Sequence, residues 1–304
     1  MLAHFLQFVA INVTCLVLAS QQFILAAEDA TNTVDTAQQM ERAVELAKQG
    51  NYREAKREFR AVLAIREKTL GKEHSDTLIV HHNLARTLNV EGEYAEAERE
   101  YHILIEGEKR LFGPEDRRTL GAMADLALAL RNQGRVTEAM RLLRTVFATQ
   151  ERVLGAEDPE TLTSRDNLAN GLNDQQQFEA AEKEFRAVLA IRERVLGAEN
   201  PITLVTRYHL SLTLKNQHKI ADEEKEHRAI LKAREHVLPP EDQEIFVSCF
   251  NLALCLKRQF KYQEALEPAQ RAERGFKRVR GEEDPVYKDA VILRESIETA
   301  LAKK

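Results

Sequence analysis

The residues most suggestive of metal or catalytic chemistry are two adjacent histidines, His81 and His82. Neighbouring side chains on a helix point about 100° apart, so both imidazoles cannot bind one metal ion. We therefore expect a solvated pair. The sequence also contains no phosphate-binding glycine loop and no H-E-x-x-H, C-x-x-C or G-x-S-x-G motif. It predicts no catalytic site, no metal site and no cofactor.

Cysteine content and overall charge exclude further classes of function. Cys249 and Cys255 lie six residues apart on one expected helix, which is too far for a disulfide, and we expect both to be small core residues. The 304 residues include 44 Lys and Arg against 49 Asp and Glu. This balance gives no basic footprint for nucleic acid. A hydrophobic content of 43% with only 12 Gly and 7 Pro is typical of a folded chain.

A repeat of 42 residues organises the sequence. Residues 59–67 and 185–193 both read FRAVLAIRE, and they lie three repeats apart. The same step of 42 connects a column of glycines with one proline: Gly71, Gly113, Gly155, Gly197, Pro239 and Gly281. Six repeats in one register are therefore predicted, at about 37–70, 71–112, 113–154, 155–196, 197–238 and 239–280.

Each repeat is predicted to contain two helices, a first helix (A) and a second helix (B). Within residues 155–196, apolar residues recur at helical spacing over two stretches that are separated at 173–177. Asp158 suits an N-cap and Pro159 the first helical position, while Gly197 suits the end of helix B. Residues 285–302 predict one more helix, which caps the array. The expected fold is all-α, without strands.

The turn between helices A and B carries the residues of a known family. Glycines 50, 92 and 134 are each followed, two residues later, by Tyr52, Tyr94 and Val136, and then by a small residue. These columns, together with Asn-Leu-Ala at 83–85, 167–169 and 251–253, resemble the tetratricopeptide repeat (TPR) in the 42-residue version found in kinesin light chains. The resemblance covers about residues 34–304. It implies an α-solenoid that forms a right-handed superhelix, with the A helices along its concave wall.

The resemblance also implies a partner-binding groove along the A helices. In this family, asparagines there hydrogen-bond the main chain of a bound segment, since an amide offers both a donor and an acceptor. The matching column here contains Asn83, Asp125, Asn167, His209 and Asn251, followed one turn later by Arg86 and Asn170 and two turns later by Asn89, Arg131, Asn173, Lys215 and Lys257. Asp125 and His209 depart from the family pattern. Ordinary exposed helix residues are the alternative interpretation of the column.

The function implied by this resemblance is a non-catalytic scaffold or adaptor that binds a peptide or protein segment in the groove. A structural or self-associating solenoid is one alternative, and an enzyme with a site in the fifth and sixth repeats is another. The cationic clamp that some family members use for chaperone tails is not matched, because Val247, Val205 and Asp166 occupy those positions. The mixed charge of the groove leaves the partner's identity open.

The fifth and sixth repeats depart from the pattern. Glu223 replaces a small residue and His227 replaces an aromatic residue of helix B. Burying Glu223 unpaired would cost several kcal/mol, so we expect a loosened helix that turns these charges to solvent. A partner-facing or hinge element is the alternative. Pro268 and Gly275 predict a kinked and weakened last B helix.

The N-terminal segment predicts export. Residues 1–27 contain no Asp, Glu, Lys or Arg, and Ala26 and Ala27 precede the acidic Glu28. This pattern predicts a signal peptide that is cleaved near Ala26 or Ala27, followed by a linker over 28–36. A membrane anchor over residues 5–25 is the alternative, because about 20 apolar residues suffice to span a bilayer. We therefore expect a bacterial periplasmic, extracellular or envelope-associated protein, which contacts membrane only through this segment if it is uncleaved.

Overall fold

The computed structural model describes residues 36–303, and every regular element in that range is an α-helix. The predicted signal peptide and most of the linker lie outside the described residues. The chain divides into two compact units, which meet in sequence between Leu142 and Leu143. We call residues 36–142 the first unit and residues 143–303 the second unit. No helix within 36–303 is long and apolar enough to cross a membrane.

Thirteen helices alternate between A and B, as the sequence predicts, and the expected all-α fold is confirmed. The A helices are α1 (36–48), α3 (Ser75–Glu91), α5 (Arg117–Asn132), α7 (Pro159–Asp174), α9 (Pro201–Asn216) and α11 (Gln243–Arg258). The B helices are α2 (Tyr52–Thr69), α4 (Tyr94–Phe112), α6 (Val136–Val153), α8 (Phe178–Leu196), α10 (Ile220–Val237) and α12 (Tyr262–Arg280), and α13 (Pro285–Ala302) follows as the last helix.

The A helices begin where the sequence places their start signals. The Asp158 carboxylate accepts a hydrogen bond from the main-chain N–H of Glu160, and Asp116, Asn200, Asp242 and Asp284 cap their helices in the same way. His74, which lacks a carboxylate or amide, uses its ring Nδ1 to accept from Asp76 at 3.1 Å. Each cap satisfies an N–H group that the helix itself leaves unpaired.

The turn from A to B keeps one backbone geometry even where glycine is lost. Gly92 has a φ of 90°, and Gln176, His218 and Phe260 hold the same position of later repeats at 60°, 59° and 59°. In each turn the following N–H reaches back to the A helix, as in the 2.9 Å bond from Lys219 to Leu214. This left-handed conformation costs a residue with a side chain about 1–2 kcal/mol, which the packing of the flanking helices must offset.

Consecutive helices pack against one another from α2 to α5 in the first unit and from α7 to α13 in the second. In the first unit, Ala55, Phe59, Ala97 and Tyr101 are fully buried, so the small and aromatic columns of the repeat form its core. In the second unit, Ala265 and Phe276 of α12 are buried against residues of α11 and α13. Cys249 and Cys255 are free, buried thiols, as expected.

The fifth repeat differs from the prediction. Helix α10 is regular, and Glu223 and His227 are only 2% and 5% exposed, so the expected turn toward solvent is wrong. The Arg258 guanidinium reaches Glu223 from α11, and His227 lies 3.5 Å from the same carboxylate. Burial acts to raise the pKa of Glu223, yet the hydrogen bonds from His227 and Arg258 hold it below its ordinary value. The carboxylate is buried because cations accompany it.

Gly275 has a packing role that the sequence does not reveal. A Cβ atom at this position would meet ring atoms of Phe246 at 2.3 Å, so the absence of a side chain lets α11 approach α12. Helix α12 also runs unbroken through Pro268. The residue that weakens the isolated helix therefore permits its packing.

We predict that Gly275→Ala destabilises the protein by about 1–3 kcal/mol, because overpacking against Phe246 outweighs the higher helix propensity of alanine. Gly121→Ala is the matched control, since nothing lies within 4 Å of a Cβ at that position of α5. This control is expected to gain about 0.5–1 kcal/mol. Urea unfolding of both variants measures the difference, and equal stabilities would show that the Phe246 ring moves aside at little cost.

Candidate functional site

The first unit contains a cleft of about 300 Å³ between α1, α2 and α3. Its lining combines apolar side chains with polar and cationic ones: Val44, Ala47, Lys48, Tyr52, Phe59, Asn83, Arg86, Thr87 and Val90. Two of the predicted groove residues, Asn83 and Arg86, thus lie in this cleft. A volume of this size is at the lower end for ligand pockets and suits one or two side chains of a partner.

Polar groups of the cleft are available for a ligand. The Asn83 amide donates to the Ile79 carbonyl at 2.8 Å, which leaves its Oδ1 as an acceptor. Arg86 is exposed and has no hydrogen bond or ion pair within residues 36–303. Lys48 is exposed as well, and its nearest carboxylate is Glu45 at 3.9 Å. The cleft can therefore accommodate an apolar side chain next to an anionic group.

Other predicted groove residues of the first unit contact a neighbouring A helix instead. The Asp125 carboxylate accepts from His82 Nε2 at 2.8 Å, which joins α5 to α3. Asn89 accepts from the Asn132 amide at 3.1 Å across the same pair of helices. Arg131 is half-buried and also has a partner. Asp125 and Asn89 therefore fix the spacing of α3 and α5.

The second unit contains a buried polar network at the repeat positions that correspond to the contact of His82 with Asp125 in the first unit. Asp166 of α7 and Arg192 of α8 are nearly fully buried, with 3.4 Å between carboxylate and guanidinium. His209 of α9 contacts the second oxygen of Asp166 through Nδ1 at 2.9 Å. Thr206 donates to Asp166 at 2.9 Å and accepts from Arg192. Burial lowers the pKa of Arg192, although the Asp166 charge opposes that shift.

Asn170 and Asn173, two of the predicted groove residues, belong to the same polar network. Asn170 donates to the Asp166 carboxylate at 3.3 Å and to its carbonyl oxygen at 3.1 Å. Asn173 donates to the Thr213 hydroxyl on α9 at 2.7 Å. Asn170 also lies 3.3 Å from Nδ1 of His209 on α9, so both amides connect consecutive A helices, like Asp125 and Asn89 in the first unit.

The same three positions carry opposite charges in the two units. Each residue of this network has an equivalent two repeats earlier. Asp166 corresponds to His82, His209 to Asp125, and Arg192 to Glu108. The A-to-A contact keeps its acid and base but exchanges them. The third position changes from a cation to Glu108, which is 8% exposed and whose Oε2 has no hydrogen-bond partner in the described chain. Burial raises the pKa of Glu108 to about 7, which the charges of His82 and Arg118 oppose and that of Asp116 reinforces.

Free polar groups remain on the A helices of the second unit. Asn167 on α7 and Asn251 on α11 are half-buried, and neither amide forms a side-chain hydrogen bond within 36–303. Lys215 on α9 and Lys257 on α11 occupy equivalent positions, and neither has an ion pair in that range. These four predicted groove residues are therefore able to contact a partner.

Comparisons with known proteins agree with this architecture. Family models described as "Tetratricopeptide repeat" match residues 39–102, 119–160 and 161–202. These residues of the chain form tetratricopeptide repeats. No curated protein has a significantly similar sequence.

Solved structures of TPR proteins share the fold. TPR-like repeats from Podosopora anserina assigned to a kinesin light chain have 24% identity and a TM-score of 0.60, covering 68% of this chain and 98% of that one. BtubC (BKLC) from P. vanneervenii has 17% identity and a TM-score of 0.62, with coverage of 82% and 94%. A Rap protein complexed with Competence and Sporulation Factor has 12% identity and a TM-score of 0.58, with coverage of 86% and 73%. At these identities the similarity concerns the fold alone.

The expectation of a solvated histidine pair is wrong. His81 is buried, and its Nδ1 lies 2.6 Å from the Glu100 carboxylate, while His82 is half-buried against Asp125. The two rings serve different helix contacts of the TPR array. Across residues 36–303 no group of three or more His, Cys, Asp or Glu side chains is placed to hold a metal ion.

Sequence reasoning missed the contribution of α1 and α2 to the first-unit cleft. The sequence predicts only a turn position for Tyr52, yet Tyr52 and Phe59 line the cleft together with Val44 and Val90. Ile202, Val205 and Tyr208 on α9 are exposed to solvent, whereas the sequence analysis identifies Val205 only as a position where the chaperone-tail clamp is unmatched.

We predict that Glu108 makes the protein less stable as pH rises from about 4.5 to about 7. The folded-state pKa of about 7 lies above the ordinary value of 4.5, so the folded protein binds the extra proton in this window. Glu108→Gln should match the wild type near pH 4.5 and exceed it by about 2–3 kcal/mol at pH 8. Urea unfolding across this pH range measures the slope.

Glu106→Gln on the same helix is the matched control, because Glu106 is exposed and pairs with Lys109. It should leave the pH profile nearly unchanged. A Glu108→Gln protein that is less stable than the wild type at pH 8 would show that the carboxylate is ionised and paired.

Proposed function

We propose that this TPR protein is a non-catalytic scaffold that binds an extended segment of a partner protein along its A helices. The observation that carries the proposal is the set of unsatisfied hydrogen-bonding groups on that face. Within residues 36–303, the side-chain Oδ1 of Asn83 in the first unit and the side-chain amides of Asn167 and Asn251 in the second have no hydrogen-bond partner. An extended peptide offers main-chain N–H and C=O groups that match these amides regardless of its sequence.

Some polar residues of the A helices contact a neighbouring A helix and others do not, and this difference supports the proposal. Asp125, Asn89, His209, Asn170 and Asn173 are occupied by contacts between A helices. Arg86, Lys215 and Lys257 have no such contact in the described residues. The Rap protein with the same fold, which was solved in complex with Competence and Sporulation Factor, gives further support.

We predict that the triple variant Asn83→Ala, Asn167→Ala, Asn251→Ala loses most of its partner binding but keeps its fold. The Asn83 amide donates only to a carbonyl of its own helix, and those of Asn167 and Asn251 form no side-chain hydrogen bond within 36–303, so each replacement should change stability by about 0.5 kcal/mol or less. The measurement is affinity capture from native envelope extract, compared with wild type by quantitative mass spectrometry, with a thermal unfolding curve for each protein.

The matched control replaces exposed cations at one position of the B helices: Arg99→Ala, Lys183→Ala, Lys225→Ala. This variant should retain the partners that the wild type captures. If the amide variant folds normally and retains every partner, the binding face lies elsewhere. If wild type captures only itself, the structural or self-associating solenoid is favoured.

The export of the protein is a second part of the proposal. Residues 1–27 contain no Asp, Glu, Lys or Arg, and the small residues Ala26 and Ala27 precede Glu28. An apolar stretch that ends in small residues is a feature of a cleaved signal peptide. The partner would then be a protein of the periplasm, the envelope or the exterior.

We predict that the mature protein begins at Ala27 or Glu28. Intact-mass measurement of the protein from a secreting bacterial host should show the loss of 26 or 27 residues. A variant with Ala26→Leu and Ala27→Leu is the control and should accumulate uncleaved. Full-length wild-type mass in the membrane fraction would support the anchor over residues 5–25, and full-length mass in the cytosol would contradict export.

A further inference from the structure

Helix α9 of the second unit presents an apolar ridge to solvent. Ile202, Val205 and Tyr208 are 52%, 48% and 37% exposed, and their spacing of three residues places them on one side of the helix. Large apolar side chains that are grouped on a surface mark an interaction site more often than scattered ones do. The ridge therefore requires a partner or carries a cost in solubility.

The ridge is particular to α9. The equivalent positions of α7 are Glu160, Thr163 and Asp166, and α11 begins the same triplet with Glu244. Neither neighbour is apolar at all three positions. The Cα traces of α9 and α11 also stay more than 8 Å apart, whereas those of α7 and α9 approach within that distance.

Cations lie at one end of the ridge. Lys215 is about 20 Å along α9 from Ile202, from the helical rise of 1.5 Å per residue. Lys257 occupies the equivalent position on α11, and neither lysine has an ion pair within residues 36–303. The nearby carboxylate at the end of α7, Asp174, already has a partner. This end of the surface therefore favours an anionic group.

We propose that the α9 ridge, together with Lys215 and Lys257, docks an extended protein segment in which apolar side chains precede carboxylates. An extended chain of six residues spans about 20 Å, which matches the distance from Ile202 to Lys215. The unsatisfied amides of Asn167 and Asn251 lie on the helices that flank α9, where they can meet the main chain of the segment. This inference rests on the proposed function and names the partner chemistry of its second-unit part.

The test measures fluorescence anisotropy of labelled hexapeptides with the purified protein in low-salt buffer. The probe is Leu-Val-Leu-Val-Glu-Glu, and its counterparts end in Lys-Lys or carry serine at the apolar positions. The acidic apolar peptide should bind about tenfold tighter than either counterpart. Equal binding of all three peptides would overturn the proposal.

Variants assign the binding to α9. Val205→Asp should weaken binding of the acidic peptide at least tenfold, and the double variant Lys215→Glu, Lys257→Glu should reverse the preference toward the Lys-Lys peptide. Ile79→Asp is the matched control, because Ile79 holds the same position on α3 and is 50% exposed. It should bind like the wild type. Loss of binding in Ile79→Asp but not in Val205→Asp would place the site on α3 of the first unit and overturn the proposal.

Two outcomes separate this inference from the proposed function. Peptides that bind without preference, combined with partner capture that depends on the three asparagines, would overturn the ridge proposal and leave the scaffold function standing. Peptide binding with the expected preference, combined with partner capture that does not depend on the three asparagines, would support the ridge proposal and overturn the scaffold function as proposed. Sedimentation of the protein alone tests a second copy as the occupant, and association that Val205→Asp abolishes would also overturn the proposal.

Discussion

The structure depends on the stacking of each helix on the next, because no helix pair of this size can bury its apolar face alone. Alanines 55 and 97 and the rings of Phe59 and Tyr101 become fully buried only when neighbouring helices cover them. This constraint explains why the repeat keeps its period of 42 residues while individual positions vary. It also explains how Gln176, His218 and Phe260 can hold a left-handed turn conformation that glycine adopts in earlier repeats.

A second constraint concerns the buried charged side chains, because a buried charge needs a partner. Asp166 has Arg192, Thr206 and His209 around it, and Glu223 has Arg258 and His227. In the first unit the acid and the base have exchanged positions relative to the second, and the pair of His82 and Asp125 keeps the contact between A helices. Glu108 lacks such a cation within hydrogen-bonding reach, and its pKa rises accordingly.

The proposed function follows from the polar groups that take no part in contacts between helices. Side chains that hold neighbouring A helices together are not available to a ligand, whereas Arg86, Asn167 and Asn251 are. The two units differ in what they leave exposed. The first unit has a small cleft edged by cations, and the second has an apolar ridge with lysines at one end. A scaffold of this kind gains specificity from the departures from its repeat, since the repeated residues are common to all units.

The sequence by itself determined the helices, their order and the family. Caps such as Asp158, the turn residues and the apolar period act locally, so each can be recognised without knowledge of distant contacts. The pairing of side chains depended on tertiary structure. Whether Glu223 is buried is decided by Arg258, which lies 35 residues later, and whether Asp125 faces a ligand is decided by His82 on another helix. Likewise, Gly275 acquires its role only from the Phe246 ring that packs against it. A periodic pattern fixes which face of a helix is covered, but only the neighbouring helix determines which polar groups on that face are already satisfied.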